Sequence, residues 1–169
     1  MGKIFLYYGT GAGKTTNALG LALRCVGHGL KAVIIQFMKG RKDVGEYLIQ
    51  KRLAPQYEIY QFGRDGWINL RNPSDEDRRL AHKALEKARE VLREKPHLLV
   101  LDEICLAAYI GLIDVDEVLK LLDDVPEETD VVLTGRFCPP ELIDRADIVN
   151  MIVEVKAPKR VYTRLGITH

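Results

Sequence analysis

Gly9-Thr10-Gly11-Ala12-Gly13-Lys14-Thr15-Thr16 sets three alternating glycines before a lysine and two hydroxyl residues. Between a strand and a helix, such a run is a phosphate cradle. Glycines let backbone N–H groups approach phosphate oxygens, and the helix N-terminus adds its positive pole. Lys14 would place an ammonium against the phosphates, Thr15 would offer its hydroxyl to Mg²⁺, and Thr16 would add a hydrogen bond. The loop is one residue shorter than the usual spacing. Where a glycine is expected five residues before Gly13 stands Tyr8, which leaves Gly-x-x-x-Gly-Lys-Thr. A shorter cradle must hold a triphosphate differently, and that bears on which bond breaks.

Two further motifs supply charge. Leu98-Leu-Val-Leu-Asp102-Glu103 is an apolar run ending in an acidic pair. Beside a phosphate loop, a carboxylate in that place holds the metal directly or through water, and Asp102 is the first candidate. Glu103 could polarise water in a hydrolase, or bind a ribose hydroxyl or second metal in a transferase; capping the following helix is its plain structural alternative. Val131-Val-Leu-Thr134-Gly135-Arg136 is the third motif. Residues leaving the C-terminal end of a parallel strand face the ligand crevice, so Arg136 could bring a forked cation to the triphosphate. Arg24 is a further ATP-binding candidate, and Gln36, Lys39 and Gly40 would face the same crevice. Trp67, the one tryptophan, stands in a glycine-flanked loop.

The elements that would position these residues are legible in the apolar pattern. Ile4–Tyr8, Ala32–Phe37, Leu98–Leu101, Val131–Leu133 and Ile148–Val153 are short continuous runs, as in strands buried on both faces by helices. Tyr57–Phe62 alternates more and predicts an edge strand. Helices are predicted over Thr15–His28, with a stripe of Leu19, Ala22, Leu23 and Val26, and over Ser74–Arg93, with Ser74 as cap. Shorter ones are predicted near Gly45–Lys51, Val115–Leu122 and Pro140–Arg145, the last opened by Pro139-Pro140. Phe62–Pro73 reads as an exposed loop, and about 156–169 as a basic, partly ordered tail. The expectation is a single α/β domain over 1–169, a P-loop NTPase-like three-layer sandwich with a mainly parallel central sheet.

Composition narrows the class. With 25 basic and 24 acidic residues the net charge is +1, which favours neither a nucleic-acid nor a membrane surface. The apolar run after Met1-Gly2-Lys3 is too short for a signal peptide, and no stretch nears the ~20 apolar residues of a membrane span. Cys25, Cys105 and Cys138 are scattered, without Cys-x-x-Cys, and predict buried reduced thiols in a cytoplasmic protein. The histidines show no metal-ligand spacing.

Taken together, the motifs resemble the ATP:corrinoid adenosyltransferases of cobalamin synthesis and salvage. The similarity runs from the short loop through Arg24, Gly27-His28-Gly29, Gln36-Phe-Met-Lys-Gly40 and Gly45-Glu46. It continues through Phe62-Gly63, Trp67, Leu101-Asp-Glu-Ile104, Gly111-Leu112, Leu133-Thr-Gly-Arg136 and Ala146-Asp147. The resemblance implies that a corrinoid's Co(I) attacks the 5′ carbon of ATP and that intact triphosphate leaves. Lys14, Thr15, Arg136 and Glu103 are then the catalytic candidates. Gly9 to Thr16, Arg24 and Arg136 would hold ATP, and Thr15, Asp102 and Glu103 would hold Mg²⁺. Trp67, with Phe62 and Gly63, would meet the corrinoid. The family also implies a reductase or flavodoxin as electron donor and a homodimer.

Some positions depart from that pattern. Asp65 stands where relatives tend to have an aromatic residue, Lys156-Ala157 replaces a Lys-His pair, and Thr163-Arg-Leu-Gly-Ile167 matches only in part. Many bacterial relatives carry a segment before the first strand that helps cover the corrinoid, and the sequence here opens on that strand. Two other classes stay open on the sequence alone. One is a P-loop ATPase or kinase acting at the γ-phosphate, which leaves the shortened loop and Gln-Phe-x-Lys-Gly unexplained. The other is an ATP-dependent corrinoid-binding module without turnover.

Overall fold

Five apolar runs and one alternating run become six parallel strands in a computed structural model that describes residues 2–66 and 68–168. They are β1 (Ile4–Tyr8), β2 (Ala32–Phe37), β3 (Tyr57–Phe62), β4 (Leu98–Asp102), β5 (Asp130–Gly135) and β6 (Ile148–Met151). Their order across the sheet is β3-β2-β4-β5-β1-β6, every neighbouring pair parallel. Parallel neighbours need crossovers, and helices supply them. These are α1 (Lys14–Gly27), α2 (Gly45–Leu48), α3 (Gln50–Leu53), α4 (Asp75–Arg93), α5 (Ile104–Tyr109), α6 (Val115–Asp123) and α7 (Pro140–Arg145).

The sheet divides two apolar layers. Residues of α4, α5, α6 and α7 pack on one face, around Leu85, Leu99, Ile104 and Leu121. Ala18, Ala22 and Cys25 of α1 cover the other, with Tyr47, Ile49 and Leu53 beside them. Every residue of β2 and β4 is buried, as expected of strands covered on both sides. The three-layer α/β architecture is as expected, and β3 does lie at an edge.

Several local expectations need correcting. The buried stripe of α1 is Ala18-Ala22-Cys25, spaced i, i+4, i+7, while Leu23 is 62% exposed. Small residues let this helix sit close to the sheet, and Leu23 falls off that line. The segment near Gly45–Lys51 is two short helices rather than one. The last strand stops at Met151, before Val153. The thiols of Cys25 and Cys105 are buried, and that of Cys138 is half-buried. Among the described residues no helix is long and apolar enough to cross a membrane.

Asp77 closes the base of the loop between β3 and α4. Ser74 caps α4 by accepting from the Asp77 N–H, and Asp77 Oδ2 accepts in return from the Ser74 N–H at 2.9 Å, a capping box. From the far end of the loop, Arg64 donates to both carboxylate oxygens at 2.9 and 3.0 Å. Burial alone would raise the Asp77 pKa, but hydrogen bonds from Arg64 and Ser74 hold it below the usual carboxylate range. A carboxyl whose pKa is lower folded than unfolded adds stability above the unfolded value and loses it as pH falls through the folded one. Asp77→Ala is therefore expected to cost about 2–4 kcal/mol at pH 7, from a lost cap and a lost charged hydrogen bond. Urea titrations should show that difference shrinking below about pH 4. A difference that stayed constant into strong acid would mean the carboxylate charge is not its source.

Candidate nucleotide-binding site

The loop Gly9–Gly13 joins β1 to α1, and two of its glycines are small because another segment lies against them. A Cβ on Gly9 would sit 2.3 Å from the Ile152 oxygen, and one on Gly11 would sit 2.8 Å from the Val153 carbonyl carbon. The chain leaving β6 therefore forms the floor of the loop. Gly11 N–H donates to the Ile152 oxygen at 2.9 Å, and Gly9 N–H donates to the Arg136 oxygen at 3.2 Å. Gly13 is the N-cap of α1, at φ +105°, where glycine is at ease. Among the described residues no side chain caps this helix, and its first turn holds no acidic residue. Its first N–H donors and its positive pole are thus met by no side-chain cap and no acidic residue of the first turn. Thr10, Ala12, Gly13 and Thr16 are exposed, and Lys14 and Thr15 half-buried. Lys14 Nζ folds back on the Gly11 oxygen at 2.7 Å.

At the end of β4, Asp102 is wholly buried and both of its carboxylate oxygens are engaged. Oδ1 accepts from Thr15 Oγ1 at 2.8 Å and from Thr134 Oγ1 at 2.6 Å. Oδ2 accepts from Lys39 Nζ at 2.6 Å and from Gln36 Nε2 at 3.1 Å. Burial disfavours the charged form, yet the Lys39 charge and the hydrogen bonds from Lys39, Thr134 and Thr15 outweigh it, so the pKa lies below the ordinary aspartate value. Lys39 shows the converse. Burial would lower its pKa, but the charges of Asp102 and Glu103 and the Asp102 hydrogen bond raise it. The pair is therefore ionised, aspartate and ammonium, at neutral pH.

Glu103 occupies the N-cap position of α5 without capping it, in a left-handed conformation at φ +66°. Its N–H donates to Thr134 Oγ1 at 2.9 Å, and its buried Oε2 has no hydrogen-bond partner among the described residues. Burial and, next, the Asp102 charge raise its pKa. Helix capping, the structural alternative, does not occur. Burial lowers the Lys14 pKa; Glu103 opposes that shift, and the charges of Arg136 and Lys39 add to it. Lys39 and Arg136, the latter exposed just after β5, are thus within electrostatic reach of Lys14, as are Glu103 and Asp102.

Other predicted residues lie further out. Arg24 is exposed in the last turn of α1, about 15 Å along the helix from Lys14, and is not gathered with the loop. Phe62 ends β3, half-buried, and its oxygen accepts from the Met38 N–H at 3.0 Å. A Cβ on Gly63 would fall 2.3 Å from Lys39 N, so Phe62-Gly63 runs against the Lys39 backbone. Trp67 lies outside the described residues.

Thr134 has a part that its motif did not announce, since it bonds both Asp102 and the Glu103 N–H. The signal was present, because a hydroxyl at the end of β5 adjoins the end of β4 in the sheet. Lys39 and Gln36 were expected in the crevice but without a role. Here they meet Asp102, because β2 neighbours β4 and Gln36 pairs in register with it.

A strand–glycine loop–helix at the C-terminal edge of a parallel sheet, with a buried carboxylate against the threonine after the loop's lysine, defines the class of P-loop nucleotide-binding proteins. Within that class, a family model described as "ATP:corrinoid adenosyltransferase BtuR/CobO/CobP" matches residues 1–169. Three proteins named corrinoid adenosyltransferase are similar to the chain. One, from Sinorhizobium sp, is 37% identical, aligned over 94% of this chain and 75% of its own length. One from Pseudomonas aeruginosa is 31% identical over 92% and 76%. One from Escherichia coli strain K12 is 30% identical over 92% and 78%. The chain belongs to the ATP:corrinoid adenosyltransferase family, and it is a transferase that moves the adenosyl group of ATP to a corrinoid.

Proposed function

We propose that the loop Gly9–Thr16 grips the triphosphate of ATP as a leaving group. The reduced corrinoid's Co(I) is the nucleophile. Its electron pair forms the bond to C5′ of the ribose, the C5′–O bond breaks, and those electrons depart on triphosphate. No protein nucleophile takes part. The protein's task is to stabilise negative charge and align the two substrates. Lys14 and Arg136 place cations around the triphosphate, and backbone N–H groups from Ala12 to Thr16 complete the cradle, those of Gly9 and Gly11 being bonded to the Arg136 and Ile152 oxygens. Glu103, with a buried oxygen lacking a partner among the described residues, would accept from a ribose hydroxyl. Phe62 and Gly63, beside Lys39, belong to the corrinoid side, and Trp67 is assigned to it from the sequence.

Mg²⁺ fits this donor set. Thr15 Oγ1 and Asp102 Oδ1 are hard oxygens 2.8 Å apart, and Glu103 is adjacent in sequence. Among the described residues no group of three or more His, Cys, Asp or Glu could hold a metal ion unaided. A P-loop magnesium needs only one or two protein ligands and takes the rest from phosphate and water. When bound, it would neutralise charge building on the leaving oxygens. We also assign the chain to one domain and a homodimer in the cytoplasm, supplied with Co(I) by a reductase or flavodoxin.

The uncapped N-terminus of α1, with Lys14 as its first residue and Lys39 and Arg136 within electrostatic reach of that lysine, carries this reading, because it suits a polyanion that leaves intact. The test is to incubate the protein with Mg-ATP and a chemically reduced corrinoid and to identify the phosphate product. Triphosphate with a light-sensitive Co–C bond is expected. ADP or orthophosphate released without corrinoid would overturn the proposal in favour of γ-phosphate chemistry.

A further inference from the structure

Lys39 Nζ lies 2.6 Å from Asp102 Oδ2 and 3.2 Å from Thr15 Oγ1. Those two residues are also the ones assigned to the divalent ion, and the role of Lys39 rests on that assignment. One positive centre can occupy the space between these oxygens; an ammonium and a dication there would repel each other strongly in so buried a setting. The lysine and the metal are therefore alternatives.

The surroundings allow the lysine to leave. Its backbone is pinned, since Met38 holds a left-handed conformation at φ +58° and a Cβ on Gly63 would fall 2.3 Å from Lys39 N. The side chain, by contrast, is 32% exposed on a flexible four-carbon stem, whereas the Asp102 side chain is fully buried. The ammonium can swing out while the carboxylate stays. Asp102 Oδ2 would keep its hydrogen bond from Gln36 Nε2 at 3.1 Å. An ammonium that moves needs a new anion, and the cradle beside Thr15 is built to hold one.

We infer that Lys39 is a positioning residue that holds the cation position between Thr15 and Asp102 and moves onto the triphosphate when the divalent ion enters, so that metal and nucleotide load together. Neither partner is then favoured alone. Metal without nucleotide must displace a charge that has nowhere to go, and nucleotide without metal leaves the lysine on Asp102. In thermodynamic terms the lysine makes metal and nucleotide binding positively coupled.

The test is a titration of Mn²⁺ into the nucleotide-free protein, read from the electron paramagnetic resonance signal of the aquated ion. Wild type is expected to bind weakly and Lys39→Gln at least tenfold more tightly. Adding Asp102→Asn to Lys39→Gln is expected to remove the gain. Equal or weaker Mn²⁺ binding by Lys39→Gln overturns the inference while leaving the metal assignment intact. A gain that survives Asp102→Asn overturns the metal assignment beneath it. Lys39→Met, checked by circular dichroism and a thermal melt, replaces the glutamine variant should that one not fold.

Discussion

Lys14→Met is expected to lower kcat/KM for ATP by about 10²–10³-fold, the loss typical of removing one fixed charge partner from developing negative charge. The structure sets out why no neighbour can stand in. Lys14 Nζ is tethered to the Gly11 oxygen at 2.7 Å, inside the loop, whereas Arg136 approaches from the end of β5. Burial lowers the Lys14 pKa, so its ammonium is less well solvated than a surface one and gains more from an anion. Charge already on bound ATP makes part of the loss appear in KM. The charge that grows as the C5′–O bond breaks makes the rest appear in kcat. Lys14→Arg is expected to rescue little, because a planar fork does not fit where a compact ammonium folds onto a carbonyl. Steady-state kinetics with a fixed, pre-reduced corrinoid measure both variants. A fall of less than tenfold in Lys14→Met would move the leaving-group role elsewhere.

Asp102→Ala is expected to destabilise the fold by about 2–4 kcal/mol as well as to abolish turnover, since it leaves the buried donors around it without an acceptor. Four donors converge on this carboxylate: Thr15, Thr134, Lys39 and Gln36. They come from α1, β5, the loop after β2, and β2 itself, so the residue ties the phosphate loop to the centre of the sheet. Alanine would leave those donors facing a cavity and would take from Lys39 the carboxylate it is bonded to. Urea unfolding at pH 7 gives the number directly. A loss below about 1 kcal/mol would show that Thr15, Thr134 and Gln36 find other acceptors and that the network is dispensable for folding.

Much of the frame was readable because burial on both faces leaves a plain mark. Val33, Ile34 and Ile35, or Leu99, Val100 and Leu101, have no polar side to alternate with, and they became central strands. Helix α5 left no such mark. Ile104-Cys-Leu-Ala-Ala-Tyr109 is apolar nearly all round, so its six residues carry no helical period. The pairing of α1 with the sheet was misjudged because Leu23 is larger and more apolar than Cys25, whereas close packing favoured the smaller side chain. In the site, the phosphate loop and Asp102-Glu103 announced themselves by local spacing. The contacts of Lys39, Gln36 and Thr134 did not. They depend on which strands are neighbours, and strand order is set by long-range packing that no local pattern encodes.

That strand order also imposes a schedule on synthesis. Of the six strands of the sheet the earliest in sequence, β1, lies between β5 and β6, and 127 residues separate Lys3 from its partner Asp130. The floor of the phosphate loop, Ile152–Val153, emerges later still. On the ribosome β2, β3 and β4 can pair with one another while the N-terminal strand waits without a partner. The nucleotide loop thus takes its shape only after β5 and β6, and the residues that follow β6, have been made.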